Sequence, residues 1–292
     1  MEGVVASSPE DESLRLAHLT ARHLRGSACL ARSLLSMIRA TNYLLIDISN
    51  SFTKLAFASK TALFRSERVA TDQFTASYLG RVLKKRRIEL VVVCSVVPKK
   101  NREVGRAARR TKVLWLNARS KLGVGIDYPA PKTIGADRLA NAAAVAFLYG
   151  WPAIVVDFGT AVTFDIISER KSYIGGVIAP GLEAMTNFLY QRTALLPKLS
   201  LREPRRALGK STIEAMRSGA IYGYRGLVRE IITRIKTEQF PRSRVKVVAT
   251  GGYARLIAGQ LSEIHAIHRD LTLEGLRVVA NLNAEAGRKS AT

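Results

Sequence analysis

Cysteine, histidine and long apolar runs are all scarce in this 292-residue sequence. Its two cysteines, Cys29 and Cys94, match no disulfide or metal-binding pattern. We therefore expect Cys94, within the apolar run ELVVVCSVV, to be a buried thiol of a protein in the reducing cytoplasm. Among the four histidines, His265 and His268 are spaced wrongly for a helical zinc pair. No apolar run reaches the roughly 18 residues of a membrane helix, so we expect no membrane partner.

Acidic residues are also scarce: 23 of them stand against 46 basic ones, which gives a formal net charge of +23. The basic residues cluster in 84–87, 99–112 and 202–206. Such a surface attracts anions, including nucleotides and nucleic acid. The clusters contain no interleaved aromatic residues, however, so the sequence predicts no platform for stacking single strands. We interpret the charge as a solvated basic surface and expect no nucleic-acid partner.

The stretch Ala153–Ile167, AIVVDFGTAVTFDII, carries the first indication of chemistry. Its β-branched and apolar residues predict a buried strand that ends at Asp157, turns through Gly159 and Thr160, and leaves as a second strand. Turn amides and a threonine hydroxyl can donate to phosphate oxygens, and glycine lets the backbone approach an anion closely. The Asp157 carboxylate can hold a metal ion or its water shell. An ordinary hairpin with turn-forming residues explains one such stretch equally well.

A second stretch repeats this pattern. Tyr43–Phe57, YLLIDISNSFTKLAF, again predicts a strand that ends at Asp47, a turn of small polar residues, and an outgoing strand. The two stretches lie about a hundred residues apart, a separation that favours two duplicated domains over a solenoid. The arrangement resembles the superfamily of acetate and sugar kinases, actin and the heat-shock chaperone ATPases. That resemblance implies an α/β fold of two duplicated actin-like (ribonuclease H-like) domains with a nucleotide cleft between them.

The residues before the first predicted strand differ in composition from the rest. Segment 1–36 combines early acidic residues with a stretch rich in arginine and leucine, which fits neither a transit peptide nor a secretion signal. Met37 stands just before the first strand, and we expect 1–36 to be a poorly ordered extension of little functional weight. The two actin-like domains would then cover 37–137 and 138–292.

Two details of the predicted helices depend on single residues. The first helix is expected to begin at Asp72 as its N-cap. A long helical region from 212 to about 238 is expected to be interrupted by Gly219, Gly223 and Gly226, because glycine is a poor helix former. Just before it, GKST at 209–212 reads like the end of a P-loop. We reject a P-loop, because its first glycine is missing and no strand precedes it.

A glycine-rich loop becomes a helix at Gly135–Arg138, GADR. An Asp at a helix start is most often a cap. Arg138 is adjacent, however, and Tyr128 lies just upstream. Phosphoryl transfer to an alcohol needs a carboxylate that takes the hydroxyl proton, and cations or amides that spread the developing charge. Asp137 and Arg138 can fill these two roles.

Taken together, the motifs resemble the type III pantothenate kinase family over about 43–279, nearly the whole chain after the extension. The family motif D-x-G-N-T-x-x-K matches 47–54 with two departures, G-A-D-R matches 135–138 with Asn141, and D-F-G-T-A-x-T is intact at 157–163. Further segments that resemble the family are GGVIAPGL (175–182), ALGKSTIEAMRSGAIYGY (207–224) and ATGG (249–252). So many motifs in the family's order exceed what a chance match of one motif could support.

The resemblance implies a role for each matching residue. Asp137 corresponds to the general base, and Asp157 to the ligand of a monovalent cation. The residues implied in ATP binding are Asp47, Ser49, Asn50, Ser51, Lys54, Gly159 and Thr160. The residues implied in pantothenate binding are Tyr128, Gly135, Ala136, Asp137, Arg138 and Thr212, the last supplied across a dimer interface. The implied enzyme is a homodimer that phosphorylates pantothenate to 4'-phosphopantothenate, the first step of coenzyme A biosynthesis, with Mg-ATP and with potassium or ammonium.

The first hairpin departs from the family motif at two positions. Ser51 replaces threonine and keeps a hydroxyl, whereas Ser49 replaces glycine and adds a Cβ where the backbone should approach phosphate. If the turn needs a positive φ, serine costs about 1 kcal/mol there; we expect the tolerant case, in which it does not. Two other classes stay open: a non-catalytic regulatory relative, supported by the altered Ser49, and a nucleic-acid-binding protein, supported by charge alone.

Overall fold

The computed structural model describes residues 43–284, so the predicted extension over 1–36 lies outside the described residues. The strands within this range are β1 (Tyr43–Ile48), β2 (Phe52–Ala58), β3 (Glu67–Ala70), β4 (Leu90–Ser95), β5 (Lys112–Trp115), β6 (Gly125–Ile126), β7 (Ala153–Phe158), β8 (Ala161–Ile167), β9 (Ser172–Pro180), β10 (Lys246–Gly251) and β11 (Ala266–Ile267). The helices are α1 (Ala76–Lys84), α2 (Pro98–Ala107), α3 (Ala136–Leu148), α4 (Leu182–Arg192), α5 (Thr212–Gln239), α6 (Ala254–Ala258) and α7 (Leu271–Ala284).

The strands form two sheets with the same internal plan. The first has the order β3-β2-β1-β4-β5, and the second has the order β11-β10-β7-β8-β9-β6. In each sheet the central strand, β1 or β7, pairs antiparallel within its hairpin and parallel with a later strand, β4 or β10. A third antiparallel strand, β3 or β9, extends the hairpin, and a further parallel strand, β5 or β11, extends the other side. The repeated stretches of the sequence therefore correspond to a duplicated topology, to which β6 is added in the second sheet.

Side chains that alternate between the two faces of the central strands build three separate cores. In β1, Tyr43 and Leu45 lie on one face, and Leu44 and Ile46 lie on the other, all fully buried. The residues of β7 divide in the same way. The inner faces of both sheets share one core, whereas each outer face has a core of its own. The sheets therefore lie on either side of a common apolar layer.

Helices α3 and α7 occupy that common layer and pack closely on each other. Helix α7 contacts β1, β2 and β4 of the first sheet, and α3 contacts β4 together with β7 and β8 of the second. A Cβ on Gly275 would overlap the carbonyl of Ala140, so the absent side chain is what lets the two helices approach. The predicted boundary between the two domains, 137/138, falls in the first turn of α3, and it stays a prediction.

The predicted start of the first helix is wrong by a few residues. Helix α1 is capped by Thr75, whose side chain accepts a hydrogen bond from the Tyr78 N–H, and not by Asp72. Thr75 has the extended backbone of an N-cap, with φ −126° and ψ 164°. Asp72 lies in a preceding 3-10 turn, where its Oδ1 accepts from the Gln73 N–H at 2.8 Å. Both residue types are common N-caps, but Asp72 is taken up by the 3-10 turn, so the helix begins only after Thr75.

The predicted interruption of the long helix is also wrong, because α5 runs unbroken for 28 residues. A Cβ added at Gly219, Gly223 or Gly226 would meet nothing within 4 Å, so these glycines lie on an open face. The opposite face packs on the outer core of the second sheet, and this burial outweighs the weak helix propensity of glycine.

Elsewhere, Cys94 is a free and fully buried thiol, as predicted. None of the helices within 43–284 has the length and apolar character needed to cross a bilayer.

Candidate active site

Two carboxylates lie on the inner faces of the sheets, near the ends of the central strands. Continuing the alternation of β1 and β7 places Asp47 and Asp157 on the side of the shared core. Asp47 is directly opposite Lys54 of β2 and Cys94 of β4, and Asp157 is opposite Thr250 of β10. The duplicated topology therefore presents one carboxylate from each half to the same inner layer.

The first hairpin turns through Ser49, Asn50 and Ser51. The Ser49 N–H donates to the Phe52 carbonyl at 3.2 Å and closes the turn. The Ser49 hydroxyl donates to Oδ1 of Asp47 at 3.1 Å. Among the non-glycine residues that the structure describes, a positive φ occurs at Lys171, not at Ser49. The tolerant case expected for Ser49 is therefore the one observed: the serine is unstrained, and its hydroxyl contacts the neighbouring carboxylate.

The second hairpin turns through Gly159 and Thr160 and contacts the first. The Gly159 N–H donates to the Ala161 carbonyl at 3.1 Å. The hydroxyls of Thr160 and Ser51 share a hydrogen bond of 3.0 Å, although 109 residues separate them in the chain. Both side chains are exposed. The two turns thus meet at their tips and leave polar groups open to a ligand.

Helix α3 brings Asp137 to the same place from the shared layer. Gly135 is its N-cap, and Asp137 lies in its first turn, where Oδ1 accepts from the Arg138 N–H at 2.8 Å. One turn further along, Asn141 donates from Nδ2 to Oδ2 of Asp157 at 3.3 Å. The Thr272 hydroxyl of α7 donates to Oδ1 of the same Asn141 at 2.9 Å. The two inner helices therefore support the carboxylate of the second hairpin.

The Arg138 side chain is fixed on β8 and β9. Its Nε donates to Oδ1 of the fully buried Asp165 at 2.6 Å, and its guanidinium carbon lies 5.6 Å from the centre of the Tyr173 ring. Tyr128 packs edge-on against Tyr173, with 6.1 Å between the ring centres. A Cβ on Gly175 would lie 3.8 Å from the Tyr128 ring. Asp165 of β8 and Tyr173 of β9 therefore hold the side chains of Arg138 and Tyr128 near the start of α3.

Comparison with known proteins identifies the family to which this arrangement belongs. A family model described as type III pantothenate kinase matches residues 43–234. The chain belongs to the type III pantothenate kinase family. A type III pantothenate kinase of Akkermansia muciniphila is 50% identical over 242 residues, which cover 82% of this chain and 99% of the relative. Another, of Methylacidiphilum infernorum, is 42% identical over 246 residues, which cover 84% and 90%.

Two solved structures of other proteins resemble this pantothenate kinase in fold. A protein of Campylobacter jejuni described as a Baf family transcriptional activator matches with a TM-score of 0.53 and 20% identity, over 83% of this chain and 99% of that protein. A protein of Sinorhizobium meliloti described as a 2-dehydro-3-deoxygalactonokinase matches with a TM-score of 0.50 and 13% identity, over 82% and 98%. With the duplicated sheets, these likenesses confirm the predicted α/β fold of two actin-like domains.

Burial and crowding of like charges perturb the carboxylates of this kinase. Burial, aided by the neighbouring Asp137 and Asp157, raises the pKa of Asp47 to about 7 against the opposing effect of Lys54. Burial also raises the pKa values of Asp137 and Asp157. The pKa of Asp165 is raised by burial to about 7, against the opposing effect of Arg138. Perturbed carboxylates gathered in one place are typical of functional sites.

The structure brings most of the predicted site residues together and leaves one apart. Hydrogen bonds, strand pairing or mutual charge effects connect these residues: Asp47, Ser49, Ser51, Lys54, Asp137, Arg138, Asp157 and Thr160. Asn50 and Gly159 lie in the turns, Gly135 and Ala136 at the start of α3, and Tyr128 beside Tyr173. Thr212 is exposed at the first residue of α5, and within 43–284 no hydrogen bond joins it to the others.

Sequence reasoning missed Asp165 and the support of Asp157. Asp165 reads as part of the strand TFDII, but a carboxylate at a buried strand position is itself a signal, because a lone buried charge is costly. The match to the family motif includes Asn141 but indicates no role for it. Its bond to Asp157 and the bond from Thr272 join α3, β7 and α7, which lie far apart in sequence. No local pattern could have indicated that contact.

Proposed function

We propose that this protein transfers a phosphoryl group from ATP to pantothenate and forms 4'-phosphopantothenate, the first step of coenzyme A biosynthesis. Family membership supports this, since curated relatives that match most of the chain bear the name of the activity. The observation that carries it is the meeting of Asp47 and Asp157, one from each hairpin, with Asp137 of α3. Phosphoryl transfer needs this arrangement, because the nucleotide must be held between the two hairpins while the alcohol lies beside a base.

The two hairpins would hold ATP between them. Their exposed turns offer hydroxyls and backbone N–H groups, which can donate to phosphate oxygens. Lys54 lies opposite Asp47 and supplies a positive charge beside two carboxylates. The residues that we assign to ATP binding are Asp47, Ser49, Asn50, Ser51, Lys54, Gly159 and Thr160.

Asp137 would take the proton of the attacking hydroxyl. Burial raises the pKa of its carboxyl group, which makes it a better proton acceptor than an ordinary aspartate. The adjacent Arg138 can offset charge that develops on the substrate. The residues that we assign to pantothenate binding are Tyr128, Gly135, Ala136, Asp137, Arg138 and Thr212.

The charges of the site fit bound cations. Asp47, Asp137 and Asp157 influence one another, and Lys54 is the cation that acts on both hairpin carboxylates. Phosphates brought by ATP would add to this repulsion unless cations accompanied them. Within residues 43–284 no three His, Cys, Asp or Glu side chains are grouped to hold a metal ion. We therefore assign magnesium mainly to the phosphates of ATP, and a monovalent cation, potassium or ammonium, to Asp157.

Two features support a homodimer in which each site is shared. Helix α4 and the segment after it expose large apolar side chains, with Phe188 59% and Leu195 89% exposed. Thr212 stands apart from the rest of the pantothenate site in a single chain. A second subunit that covered the apolar surface could bring its own Thr212 to the site.

Mixing two inactive variants tests the shared site. Asp137→Asn and Thr212→Ala would each impair every site of their own homodimers. A heterodimer of the two would combine the intact Asp137 of one subunit with the intact Thr212 of the other, so refolded mixtures should regain activity. Light scattering should give twice the mass of one chain. A monomer, or a mixture no more active than its components, would contradict the shared site.

A coupled assay of ADP formation, with and without pantothenate, tests the function itself. In potassium we expect ATP turnover that depends on pantothenate, with 4'-phosphopantothenate identified by mass spectrometry. Replacing potassium with sodium should lower turnover strongly, and Asp157→Asn should blunt that response. Turnover that pantothenate does not accelerate would argue against the activity. Equal rates in the two salts would contradict the assignment of a cation to Asp157 but not the kinase activity.

The alternative of a non-catalytic regulatory relative draws no support from the first hairpin. Its support in the sequence is Ser49, which replaces a glycine of the family motif. Ser49 has no positive φ and its side chain bonds to Asp47, so the replacement leaves the turn unstrained. The coupled assay separates this alternative from the kinase, because a regulatory relative would bind ligands without turnover.

A further inference from the structure

Asp165 is a buried acid that the proposed chemistry does not yet use. It lies on the inner face of β8, and its side chain is completely inaccessible to solvent. Oδ1 accepts from Nε of Arg138 at 2.6 Å, but Oδ2 is buried without a hydrogen-bond partner within residues 43–284. A half-satisfied buried carboxylate is a poor device for stability, because a well-packed apolar side chain serves the fold as well or better. Its presence therefore calls for a role connected with Arg138.

The surroundings of Arg138 restrict its guanidinium to one orientation. On one side Nε is bonded to Asp165, and Nη2 donates to the Phe164 carbonyl at 3.4 Å. A Cβ on Gly176 would overlap both Nη2 and that carbonyl, so glycine there provides the space that the guanidinium fills. The ring of Tyr173 lies below. Nη1 has no hydrogen-bond partner among residues 43–284 and remains available to a ligand.

We propose that Asp165 is a positioning residue for pantothenate: it holds the Nε edge of Arg138, so that the remaining edge meets the carboxylate of the substrate. Arginine recognises a carboxylate through a planar fork, and such recognition depends on the orientation of the plane. Asp165 fixes that plane before the substrate arrives, which reduces the entropy lost on binding. Because Arg138 directly follows Asp137, the same contact also sets the substrate relative to the base.

This inference rests on the proposed function, and its failure can be told apart from a failure of that function. The wild-type protein reports whether pantothenate is phosphorylated. The Asp165→Asn variant reports how pantothenate is held, since asparagine keeps the shape and the Oδ1 acceptor but loses the charge. Glu274→Gln is a matched control: Arg277 Nε donates to Glu274 at 2.7 Å in a pair that is similarly buried but belongs to α7.

The experiment measures the KM for pantothenate and the KM for ATP separately. Asp165→Asn should raise the KM for pantothenate about tenfold or more and change the KM for ATP less than about twofold. Glu274→Gln should change neither constant, although it should lower the melting temperature. An unchanged KM for pantothenate in Asp165→Asn would make Asp165 purely structural. Equal rises in both KM values would show that the contact does not act on pantothenate in particular, and would overturn the proposal.

A double variant tests whether Asp165 acts through Arg138. Arg138→Lys keeps a charge and loses the planar fork. If Asp165 works only by orienting that fork, adding Asp165→Asn to Arg138→Lys should change the KM for pantothenate less than about twofold. If the two changes instead multiply their effects, Asp165 acts independently of Arg138, and the proposal is wrong.

A measurement on the wild-type protein keeps the proposal open to test if Asp165→Asn does not fold. A short charge-assisted hydrogen bond should shift the Nε–H resonance of Arg138, which Arg138→Lys identifies by its loss from the NMR spectrum. Saturating pantothenate should leave this resonance in its shifted position, since Asp165 holds Nε in the free and the bound states. Return of the resonance to the position of free arginines on binding would show that the contact breaks, and would overturn the positioning role.

Discussion

The two duplicated hairpins hold their carboxylates in different ways. In the first, Asp47 accepts a hydrogen bond from Ser49 of its own turn. In the second, Asp157 accepts from Asn141 of α3, and Asn141 accepts from Thr272 of α7. The first carboxylate is thus supported locally, whereas the second depends on two helices of the inner layer. We therefore expect a substitution around the second carboxylate to disturb the inner layer more than a substitution in the first turn.

The sequences of the two turns fit this difference. The first departs from the family motif at Ser49 and Ser51, and the second keeps it intact. Beside the second, Gly251 has φ +94°, and a Cβ there would lie 2.5 Å from Oδ1 of Asp157. The residue opposite the first carboxylate is Cys94 on β4, and the residue opposite the second is Thr250 on β10, so both carry a side chain at that position. The close approach to Asp157 therefore comes from Gly251, the residue after Thr250.

We expect the largest effect from removing Asp137, the carboxylate that acts on both hairpins. Asp137 raises the pKa values of Asp47 and Asp157, and Asp137→Asn keeps its shape without its basicity. Turnover should fall by roughly 10²-fold or more, because the hydroxyl loses its proton acceptor. The steady-state rate at saturating substrates measures this, with the exposed Asp72→Asn as a control that keeps wild-type turnover. Near-normal turnover in a folded Asp137→Asn protein would remove Asp137 from the mechanism.

The close approach of Gly251 to Asp157 predicts the next largest effect. Gly251→Ala should destabilise the protein by about 2 kcal/mol, because alanine is strained at positive φ and its Cβ would meet Asp157 and the backbone of Phe158. Gly252→Ala is the matched control, since a Cβ there would meet nothing within 4 Å. Urea unfolding of both variants measures the difference. Equal stability of the two would show that the enclosure around Asp157 is loose.

The raised pKa of Asp47 predicts a smaller effect that depends on pH. Between its ordinary pKa of 3.8 and its raised pKa of about 7, the folded protein keeps a proton that the unfolded chain has released. The free energy of unfolding should therefore fall as pH rises through this window, by about 1 kcal/mol between pH 6 and 7 from Asp47. Asp47→Asn should flatten that fall, as measured by urea unfolding without nucleotide. A fall as steep in the variant as in the wild type would assign the proton to other groups.

Restoring the family residue in the first turn should have the smallest effect. Ser49 is unstrained, so Ser49→Gly should change the KM for ATP by less than about fivefold, or about 1 kcal/mol. The measurement is an ATP titration at saturating pantothenate for both proteins. A natural protein without activity, together with activity gained in Ser49→Gly, would reverse the comparison and favour the non-catalytic relative.

Local pattern was sufficient for the strands and turns that carry the site. Runs of β-branched and apolar residues followed by small polar turns predict both hairpins, with the two aspartates at the ends of β1 and β7, where they lie. The same reasoning failed for Asp72 and Thr75, since both can cap a helix and the choice depends on the 3-10 turn between β3 and α1. The interruption predicted from the glycines of α5 is also wrong, because packing on the second sheet outweighs the weak helix propensity of glycine.

Contacts between distant segments could not be predicted from one sequence. The roles of Gly176 and Gly275 depend on Arg138 and Ala140, which come from other elements. Arg138, the partner of Asp165, is likewise on another element. In the sequence, only the presence of a charge within an apolar strand could have indicated that Asp165 has a role. The roles assigned to the matched site residues stay predictions until the variants are measured.

The position of α7 has a consequence for the order in which the chain can fold during synthesis. Leu273 and Leu276 of this helix complete the core that Tyr43 and Leu45 begin at the other end of the described chain. Domains usually fold as they leave the ribosome, the N-terminal one first. Here α3 contacts β4 of the first sheet, whereas α7 contacts β1, β2 and β4, so the inner face of that sheet is incompletely covered until α7 has been translated. The nascent N-terminal half therefore keeps part of its apolar surface exposed until α7 emerges.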